Sequence, residues 1–256
     1  MLEYTMPLTL LLTNDDGYDA PGLQVLIDAL EGLGDIYVVA PLNQQSASSH
    51  SLTLRKRIGT RRIGDKRYTV DGTPTDCVLV AVDALLEKRP DLVISGINHG
   101  PNMGEDVTYS GTVAAAIEGT ILGIRSIALS SLQRTVESVQ VIGPIARTIV
   151  ETAINLGIPG RCFLNVNIPN PEISPIKGVQ VTKLGSRAYD NLLQEERDEE
   201  GNPGYIIGGE DEPVWKDEEG TDIAAVRKGY VSITPLHLDL THYKSILEME
   251  RWRFDL

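Results

Sequence analysis

The chain alternates short apolar runs with segments of helical periodicity, and this alternation constrains its fold more than any other feature. Leu8 to Leu12 is an apolar run that ends in polar residues, which predicts a buried strand. From Leu23 to Leu33, leucine and isoleucine recur at helical spacing, and Pro21 suits the first turn of that helix. Ile36 to Ala40 is a second apolar run, and Pro41 ends it.

The same alternation continues through the first two-thirds of the sequence. It predicts further strands at Leu92 to Ser95, Ser126 to Leu129 and Phe163 to Ile168, and further helices at Asp76 to Lys88, Thr112 to Leu122 and Ile142 to Ala153. Strands separated by helices of this length predict an α/β fold with a mostly parallel, doubly wound sheet. In such sheets the ligand lies beyond the carboxyl ends of the strands.

Three shorter elements complete the predicted secondary structure. Tyr68 to Val70 is expected to form part of a β-hairpin with Ser51 to Leu54. Near the end of the chain, Asp222 to Lys228 is predicted to be helical and Tyr230 to Thr234 to be a strand. Because aromatic residues make up only 5% of the chain, the core must consist mainly of Val, Ile, Leu and Ala.

Charge, cysteine content and the amino terminus limit the classes of protein to consider. The formal charge of −13 disfavours binding to a nucleic-acid polymer, because an acidic surface repels a polyanion. Cys77 and Cys162 each lie in an apolar run and are expected to be reduced core residues. The first apolar run is too short for a signal peptide or a membrane helix, so we expect a cytoplasmic protein without membrane contact.

The first polar motif, Thr13-Asn14-Asp15-Asp16-Gly17, follows the first predicted strand directly. Burying two adjacent carboxylates without a cation is costly, and their oxygens suit Mg²⁺, Mn²⁺ or Ca²⁺. A solvated turn is the alternative interpretation of this motif taken alone.

A second polar cluster follows the strand that ends at Ser95. Its glycines allow backbone N–H groups to approach an anion closely, while Asn98 and Asn102 supply amide oxygens and donors. Further on, Ser110, Gly111 and Thr112 open a helix whose first N–H groups could bind a phosphate. Ser110 or Thr112 could equally serve only as the N-cap.

Other residues near these loops allow more than one interpretation. The turn from Asp71 to Asp76 could present threonine hydroxyls to a ligand or be purely structural. His50 and His99 also lie in the predicted ligand-facing loops, where a histidine is often only solvated. The sequence has no glycine-rich dinucleotide motif, no P-loop and no Gly-x-Ser-x-Gly elbow, which argues against those three enzyme classes.

The region from Arg187 to Asp222 has a different composition from the rest of the chain. It holds 13 acidic and three basic residues, with apolar residues such as Tyr205, Ile206 and Trp215 between the charges. It is either a solvated loop or an arm that docks on another subunit. The predicted division is therefore a catalytic core at 1–185, an acidic oligomerisation arm at 186–222 and a C-terminal strand and helix at 223–256.

Taken together, these motifs resemble the SurE family of survival phosphatases. The resemblance includes Thr13 to Gly17, Val39-Ala40-Pro41, Asp71 to Pro74 and the run from Ser95 to Gly119, and it extends to Asn165 to Pro169 and Gly229 to Leu236. It covers nearly the whole chain. The resemblance implies a Rossmann-like core, with activity on nucleoside 5′-monophosphates and, in addition, on 3′-nucleotides and short polyphosphate.

The resemblance also implies specific site residues and an assembly. One divalent cation per subunit, Mg²⁺ or Mn²⁺, would be held by Asp15, Asp16, Ser46 and Asn98. Ser46 enters only through the resemblance, because a lone serine in a loop carries little information. A homodimer or homotetramer is expected, in which a C-terminal arm, for which Arg187 to Asp222 is the candidate, reaches a partner subunit.

The expected chemistry is metal-assisted hydrolysis of a phosphomonoester, in which Asp15, Asp16 and Asn98 act at the catalytic centre. Asn102, Ser110 and the amides near Gly111 and Thr112 are expected to bind the substrate. Ser95 to Thr112 contains no Lys or Arg, so the cation and the backbone dipoles would supply most of the positive field. A covalent aspartyl-phosphate enzyme and a nucleotide sensor without turnover are the two rival hypotheses.

Overall fold

A nine-stranded sheet organises the chain. The computed structural model describes residues 7–132, 140–173, 175–188, 193–207, 214–216 and 218–254. Within these ranges, the large sheet has the strand order β3-β4-β2-β1-β5-β6-β7-β13-β8. Its strands are β1 Thr9–Thr13, β2 Asp35–Pro41, β3 Thr60–Gly64, β4 Arg67–Val70, β5 Leu92–His99, β6 Arg125–Ser131, β7 Cys162–Ile168, β8 Gly178–Val181 and β13 Tyr230–His237.

The central strands, from β4 to β7 in the sheet order, pair in parallel with one another. Strands β3 and β13 are added antiparallel at the two sides, and β8 pairs parallel with β13. The helices are α1 Pro21–Leu30, α2 Pro74–Val80, α3 Gly111–Ile121, α4 Gly143–Leu156, α5 Asp222–Arg227 and α6 Tyr243–Met249. The predicted mostly parallel sheet is therefore confirmed.

Helices cover both faces of this sheet, as a doubly wound fold requires. One core cluster joins Leu10 and Leu12 of β1 to α1 and α4, through residues such as Leu26 and Ile149. Leu11 points to the opposite face, where a second cluster contains residues of α2 and α3. The alternation follows from strand geometry, because successive side chains point to opposite faces of a sheet. Continuous apolar sequence in β1 is thus explained by burial on both sides.

Two predictions about local structure need correction. Strand β4 does form a hairpin, but its partner is Thr60–Gly64 and not Ser51 to Leu54, which has no strand structure. The loop before β3 is longer than predicted because Ser51 and Thr53 bond to the start of α2. The predicted helix from Asp76 to Lys88 begins earlier, at Pro74, and continues beyond Val80 as a π-helical turn over Ala81–Leu85.

The predicted arm contains two small strand pairs in its described part. Strands β10 Leu193–Arg197 and β11 Pro203–Ile207 form an antiparallel hairpin, and every residue of both is exposed. Strand β12 Val214–Trp215 pairs with β9 Arg187–Ala188. Residues 189–192, 208–213 and 217 of the predicted arm lie outside the described residues. The C-terminal helix α6 buries none of its residues.

The remaining checks on the sequence concern cysteines and hydropathy. Cys77 is buried and Cys162 is half-buried, and both are free thiols as expected. Burial raises the pKa of the Cys77 thiol well above its usual range. No helix in the described ranges combines the length and the hydropathy needed to cross a membrane.

Candidate active site

The predicted site residues meet where two central strands end. Strand β1 pairs in parallel with β5, and Thr13, the last residue of β1, is aligned with Ser95. Asp15 and Asp16 follow β1, while Asn98 lies near the end of β5. Because carboxyl ends of neighbouring parallel strands share one edge of a sheet, residues 82 or more positions apart are brought together.

The Asp15 carboxyl is almost completely buried, with 5% of the residue exposed. Its Oδ1 accepts a hydrogen bond from the Thr112 hydroxyl at the start of α3. The pKa of Asp15 is raised to about 6, mainly by burial and to a smaller extent by the neighbouring Asp16 charge, while the hydrogen bond from Thr112 opposes this rise. The protein thus offsets the cost of burying this carboxylate only in part.

The Asp16 carboxyl lies beside the end of β5. Its Oδ2 accepts a hydrogen bond of 3.2 Å from the His99 backbone N–H. Burial raises the pKa of Asp16, and the His99 N–H opposes that rise. Gly96 lets β5 bulge immediately before this contact: its φ is +140°, and a Cβ there would lie 2.3 Å from the Leu129 carbonyl oxygen. A side chain at this position would therefore displace β5 from β6.

Asn98 is oriented by its own loop. Its Nδ2 donates a 2.9 Å hydrogen bond to the Gly100 carbonyl oxygen, which fixes the amide plane. The amide oxygen, the better ligand for a hard cation, is therefore left for other partners. Asn98 also aligns with Ser130 of β6, so it remains anchored in the sheet although it lines the site.

The loop after β2 brings Ser46 to the same place. The Gln45 backbone N–H donates to the Asp15 carbonyl oxygen at 2.7 Å, and the Ser46 Oγ accepts from Gln44 Nε2 at 2.9 Å. Three residues further on, the Ser49 N–H donates to the Tyr109 carbonyl oxygen at 3.1 Å. The loop is therefore bonded both to the Asp15 turn and to Tyr109, the residue before the N-cap of α3.

Ser110 is the N-cap of α3, since its Oγ accepts a hydrogen bond from the Val113 backbone N–H. Gly111 follows in a confined space, where an added Cβ would lie 2.7 Å from Asp15 Cβ and 2.8 Å from Ser48 Oγ. The absence of a side chain at Gly111 is thus what allows the helix start to pack on Asp15. The Thr112 backbone N–H also acts on the Asp15 carboxyl and lowers its pKa.

Asn102 is held by a network of buried polar side chains. Its Nδ2 donates to Ser130 Oγ at 2.8 Å, and its backbone N–H donates to Asn167 Oδ1 at 2.8 Å. Asn165 and Asn167 both donate their amide groups to the Asn102 carbonyl oxygen. Asn165 and Asn167 occupy alternate positions of the buried strand β7. Their polar side chains interrupt an apolar run of the sequence, and that interruption could have identified them as functional residues.

These elements enclose a cleft of about 820 Å³. Of the sequence-predicted site residues, six line the cleft: Asp15, Asp16, Ser46, Asn98, Asn102 and Ser110. Gly111 and Thr112 pack against Asp15 and do not line the cleft themselves. His99 lines the cleft, and its Nε2 atom is buried and has no hydrogen-bond partner among the described residues.

Two neighbouring motifs have structural roles. Thr73 forms a capping box with Asp76 at the start of α2, and its hydroxyl donates to the Ser51 carbonyl oxygen, which supports the structural interpretation of that turn. The His50 Nε2 lies 2.8 Å from a carboxylate oxygen of Glu118, a buried residue of α3. This contact joins the Ser46 loop to the middle of the helix.

The structure adds one cation to the cleft that the local sequence did not predict. Arg187 lines the cleft although it lies 75 positions after Thr112 in the chain. Its Nη1 donates to Asp106 Oδ1 at 3.1 Å, and its guanidinium stacks over the Trp215 ring at 5.9 Å. Arg187 therefore adds to the positive field that we expect mainly from a cation and the backbone dipoles, although Asp106 partly neutralises its charge.

The donor set at the cleft is rich in hard oxygen atoms. Within the described ranges, no three His, Cys, Asp or Glu side chains gather into a metal-binding cluster. The predicted ligands contain only two carboxylates, and serine and asparagine oxygens complete the set. Such a set suits Mg²⁺ or Mn²⁺ better than zinc or copper, which favour nitrogen and sulfur ligands.

Comparisons with known proteins give the same assignment as the motifs. The family model described as survival protein SurE matches residues 10–191. The 5′-nucleotidase SurE of Aquifex aeolicus is 52% identical over 238 residues, which cover 92% of this chain and 94% of that protein. The 5′-nucleotidase SurE of Gemmatimonas aurantiaca is 47% identical over 250 residues, or 96% of this chain and 98% of that protein.

A solved structure extends the similarity to the fold. The crystal structure of the SurE protein from Aquifex aeolicus matches with a TM-score of 0.85 and 48% sequence identity. The match covers 94% of this chain and 98% of the Aquifex chain. The motifs, the nearly full-length identity and the shared fold together establish that this chain belongs to the SurE family.

Proposed function

We propose that this protein is a divalent-metal-dependent phosphomonoesterase that converts nucleoside 5′-monophosphates to nucleoside and phosphate. The observation that carries the proposal is the meeting of Asp15 and Asp16 with Asn98 and Ser46 in one cleft, directly beside the start of α3. The names of the relatives, 5′-nucleotidase SurE, support the substrate class. From the family resemblance we extend the proposal to 3′-nucleotides and short polyphosphate.

In this proposal Asp15, Asp16, Ser46 and Asn98 hold one Mg²⁺ or Mn²⁺ ion. The buried Asp15 carboxyl fits such a role, because burial raises its pKa to about 6 and a bound cation would favour its ionised form. When bound, a divalent cation neutralises phosphoryl oxygens and lowers the pKa of a coordinated water. Thr112 would keep Asp15 oriented, and the tether from Asn98 to Gly100 would keep the Asn98 amide oxygen directed at its ligand.

The protein's own donors would bind the phosphoryl group. The first turn of α3 carries a partial positive charge, and its Gly111 N–H is the backbone donor that we assign to a phosphoryl oxygen. The Thr112 N–H is directed at Asp15 in the structure, so we assign it to the carboxylate. Asn102 lines the cleft with its amide plane fixed by Ser130, and its side chain would contact a second phosphoryl oxygen.

The direct test is phosphate release from a panel of 5′- and 3′-nucleotides and short polyphosphate, each with Mg²⁺, Mn²⁺ and chelator. We expect release from the 5′-nucleotides only with metal. A phosphoenzyme trapped on Asp15 or Asp16 would favour the aspartyl-phosphate rival, although adjacent aspartates are better placed for one shared cation. Tight nucleotide binding without any phosphate release would favour a sensor.

Assembly and location complete the proposal. We propose a homodimer or homotetramer that acts in the cytoplasm, and the exposed apolar residues of the β10–β11 hairpin support a subunit contact in the arm. The net charge of −13 agrees with a small phosphorylated substrate and not with a nucleic-acid polymer.

A further inference from the structure

Tyr109 is an exposed aromatic residue in a cleft whose proposed metal and phosphate ligands are polar. The residue is 56% exposed and lines the cleft, as do the apolar residues Ile207, Ala47 and Pro101. No hydrogen bond to its hydroxyl is present among the described residues. An aromatic ring left open at a substrate cleft normally has a flat, apolar partner, because leaving its surface in water is unfavourable.

The backbone of Tyr109 is fixed on both sides, although its ring is open. Its N–H donates to the Asp106 carbonyl oxygen at 3.0 Å, and its carbonyl oxygen accepts from the Ser49 N–H at 3.1 Å. The next residue, Ser110, is the N-cap of α3. The position of the ring is therefore set by the same elements that form the proposed phosphate site.

The 3₁₀ turn that precedes Tyr109, Gly104–Thr108, is braced from a distant part of the chain. The Gly104 N–H donates to Asp222 Oδ2 at 2.9 Å, and Asp222 also accepts from the Gly185 N–H at 2.8 Å. The Arg187 backbone N–H donates to Glu105 Oε2 at 2.7 Å, which adds to the contact between Arg187 and Asp106. Because these long-range contacts already order the turn, little conformational entropy is lost when a ligand binds against it.

The spacing along the chain keeps Tyr109 close to the proposed phosphate site. Gly111 packs directly on Asp15, and Tyr109 lies two residues before it. Two residues of chain span at most about 7 Å, so the Tyr109 backbone lies within that distance of Gly111 and of the proposed phosphate site. In a nucleoside monophosphate, one ribose separates the phosphate from the base.

We propose that Tyr109 is the platform on which the nucleobase of the substrate stacks. This inference rests on the proposed function, because it takes a nucleotide as the ligand of the cleft. Stacking on an aromatic face tolerates every base, since each has a π-face, so Tyr109 selects for the presence of a base and not for its identity.

The test compares AMP with ribose 5-phosphate, which has the same phosphate and sugar but no base. In Tyr109→Ala, we expect KM for AMP to rise about tenfold, within the range measured for a lost base–aromatic stack. KM for ribose 5-phosphate should change by less than about twofold. Tyr109→Phe should behave as the parent, because stacking requires the ring and not the hydroxyl. Tyr243→Ala is a matched control, since Tyr243 is 64% exposed and does not line the cleft.

The outcomes separate this inference from the proposed function. Equal losses for AMP and ribose 5-phosphate in Tyr109→Ala would overturn the stacking role, as would a Tyr109→Phe variant as impaired as Tyr109→Ala. If the parent releases no phosphate from AMP, the proposed function fails. The binding of AMP and of ribose 5-phosphate is then measured by titration calorimetry. Weaker binding of AMP alone in Tyr109→Ala supports the stacking role. Equally weakened binding of both ligands contradicts it.

Discussion

The cleft buries polar residues, whereas the β10–β11 hairpin exposes apolar ones. Around the cleft, buried polar groups bond across distant parts of the chain: Asp15 accepts from Thr112, and Asn102 donates to Asn167. In the hairpin, apolar residues such as Leu193 and Tyr205 are exposed, at 62% and 63%. Each arrangement is costly within a single subunit, and each implies a partner of a different kind.

This difference fits the two kinds of partner that we propose. A cation bound at the buried carboxylates would offset their loss of solvation. A partner subunit on the hairpin would cover its exposed apolar residues. Apart from Ile207, which belongs to the hairpin and lines the cleft, the two regions share no residue, so substitutions at other positions should perturb each region separately.

The largest expected effect follows from filling the space beside Asp15. In Gly111→Val, the new side chain would collide with Asp15 and Ser48, so the carboxylate must move from its position. We expect kcat/KM for a nucleotide to fall about 10²-fold, the loss typical of a misplacement of about 1 Å. Gly160→Ala is the control, because a Cβ at Gly160 meets no atom within 4 Å. Parental kinetics in Gly111→Val would show that α3 does not position Asp15.

A smaller effect should appear in the stability of the metal-free protein. The rise in the Asp15 pKa from 3.8 to about 6 corresponds to about 3 kcal/mol. Because the pKa is higher in the folded state, the parent loses stability as the pH rises from about 4 to about 6 and then levels off. Asp15→Asn does not titrate and can still accept the hydrogen bond from Thr112.

Chemical denaturation in chelator, followed between pH 4 and 7, checks this prediction. Asp15→Asn should match the parent near pH 4 and be more stable than the parent above pH 6. A difference in unfolding free energy that stays constant across this pH range would show that burial does not destabilise the Asp15 carboxylate.

The smallest effect on activity is expected from the hairpin. Replacing Leu193 and Tyr205 by serine removes exposed apolar surface without touching the cleft lining. We expect light scattering to show a smaller particle, while the phosphatase activity per subunit remains close to that of the parent. The control is Leu156→Ser, which alters a residue that is 82% exposed at the end of α4. An unchanged particle mass in the double variant would place the subunit contact outside this hairpin.

The sequence predicted the fold well where local signals and tertiary structure agree. Apolar runs gave β1, β2, β5, β6 and β7, and the helix from Gly111 to Ile121 was expected within one residue at each end. The predicted partner of β4 was wrong. Polar and apolar residues alternate from Ser51 to Leu54 as they do in a strand, but this segment is hydrogen-bonded to the start of α2. A local pattern cannot reveal that competing tertiary contact.

The sequence motifs predicted the residues of the candidate site but not the long-range contacts that hold them in place. The positions of Asp15, Asp16 and Asn98 followed from strand ends, whereas Ser46 required the family resemblance. The brace formed by Arg187 and Asp222 was missed because it joins residues 81 and 118 positions apart. The contact between His50 and Glu118, 68 positions apart, likewise had no signal in the sequence.

The most direct test of the central claim is a calorimetric titration of Mn²⁺ and of Mg²⁺ into the parent, Asp15→Asn and Asp16→Asn. We predict one site per subunit in the parent and weaker binding in both variants, accompanied by a loss of turnover of about 10²-fold or more. Both substitutions preserve side-chain shape and remove one charge, so circular dichroism should remain unchanged. Parental metal affinity and turnover in both variants would contradict the assignment of Asp15 and Asp16 as ligands of a catalytic cation.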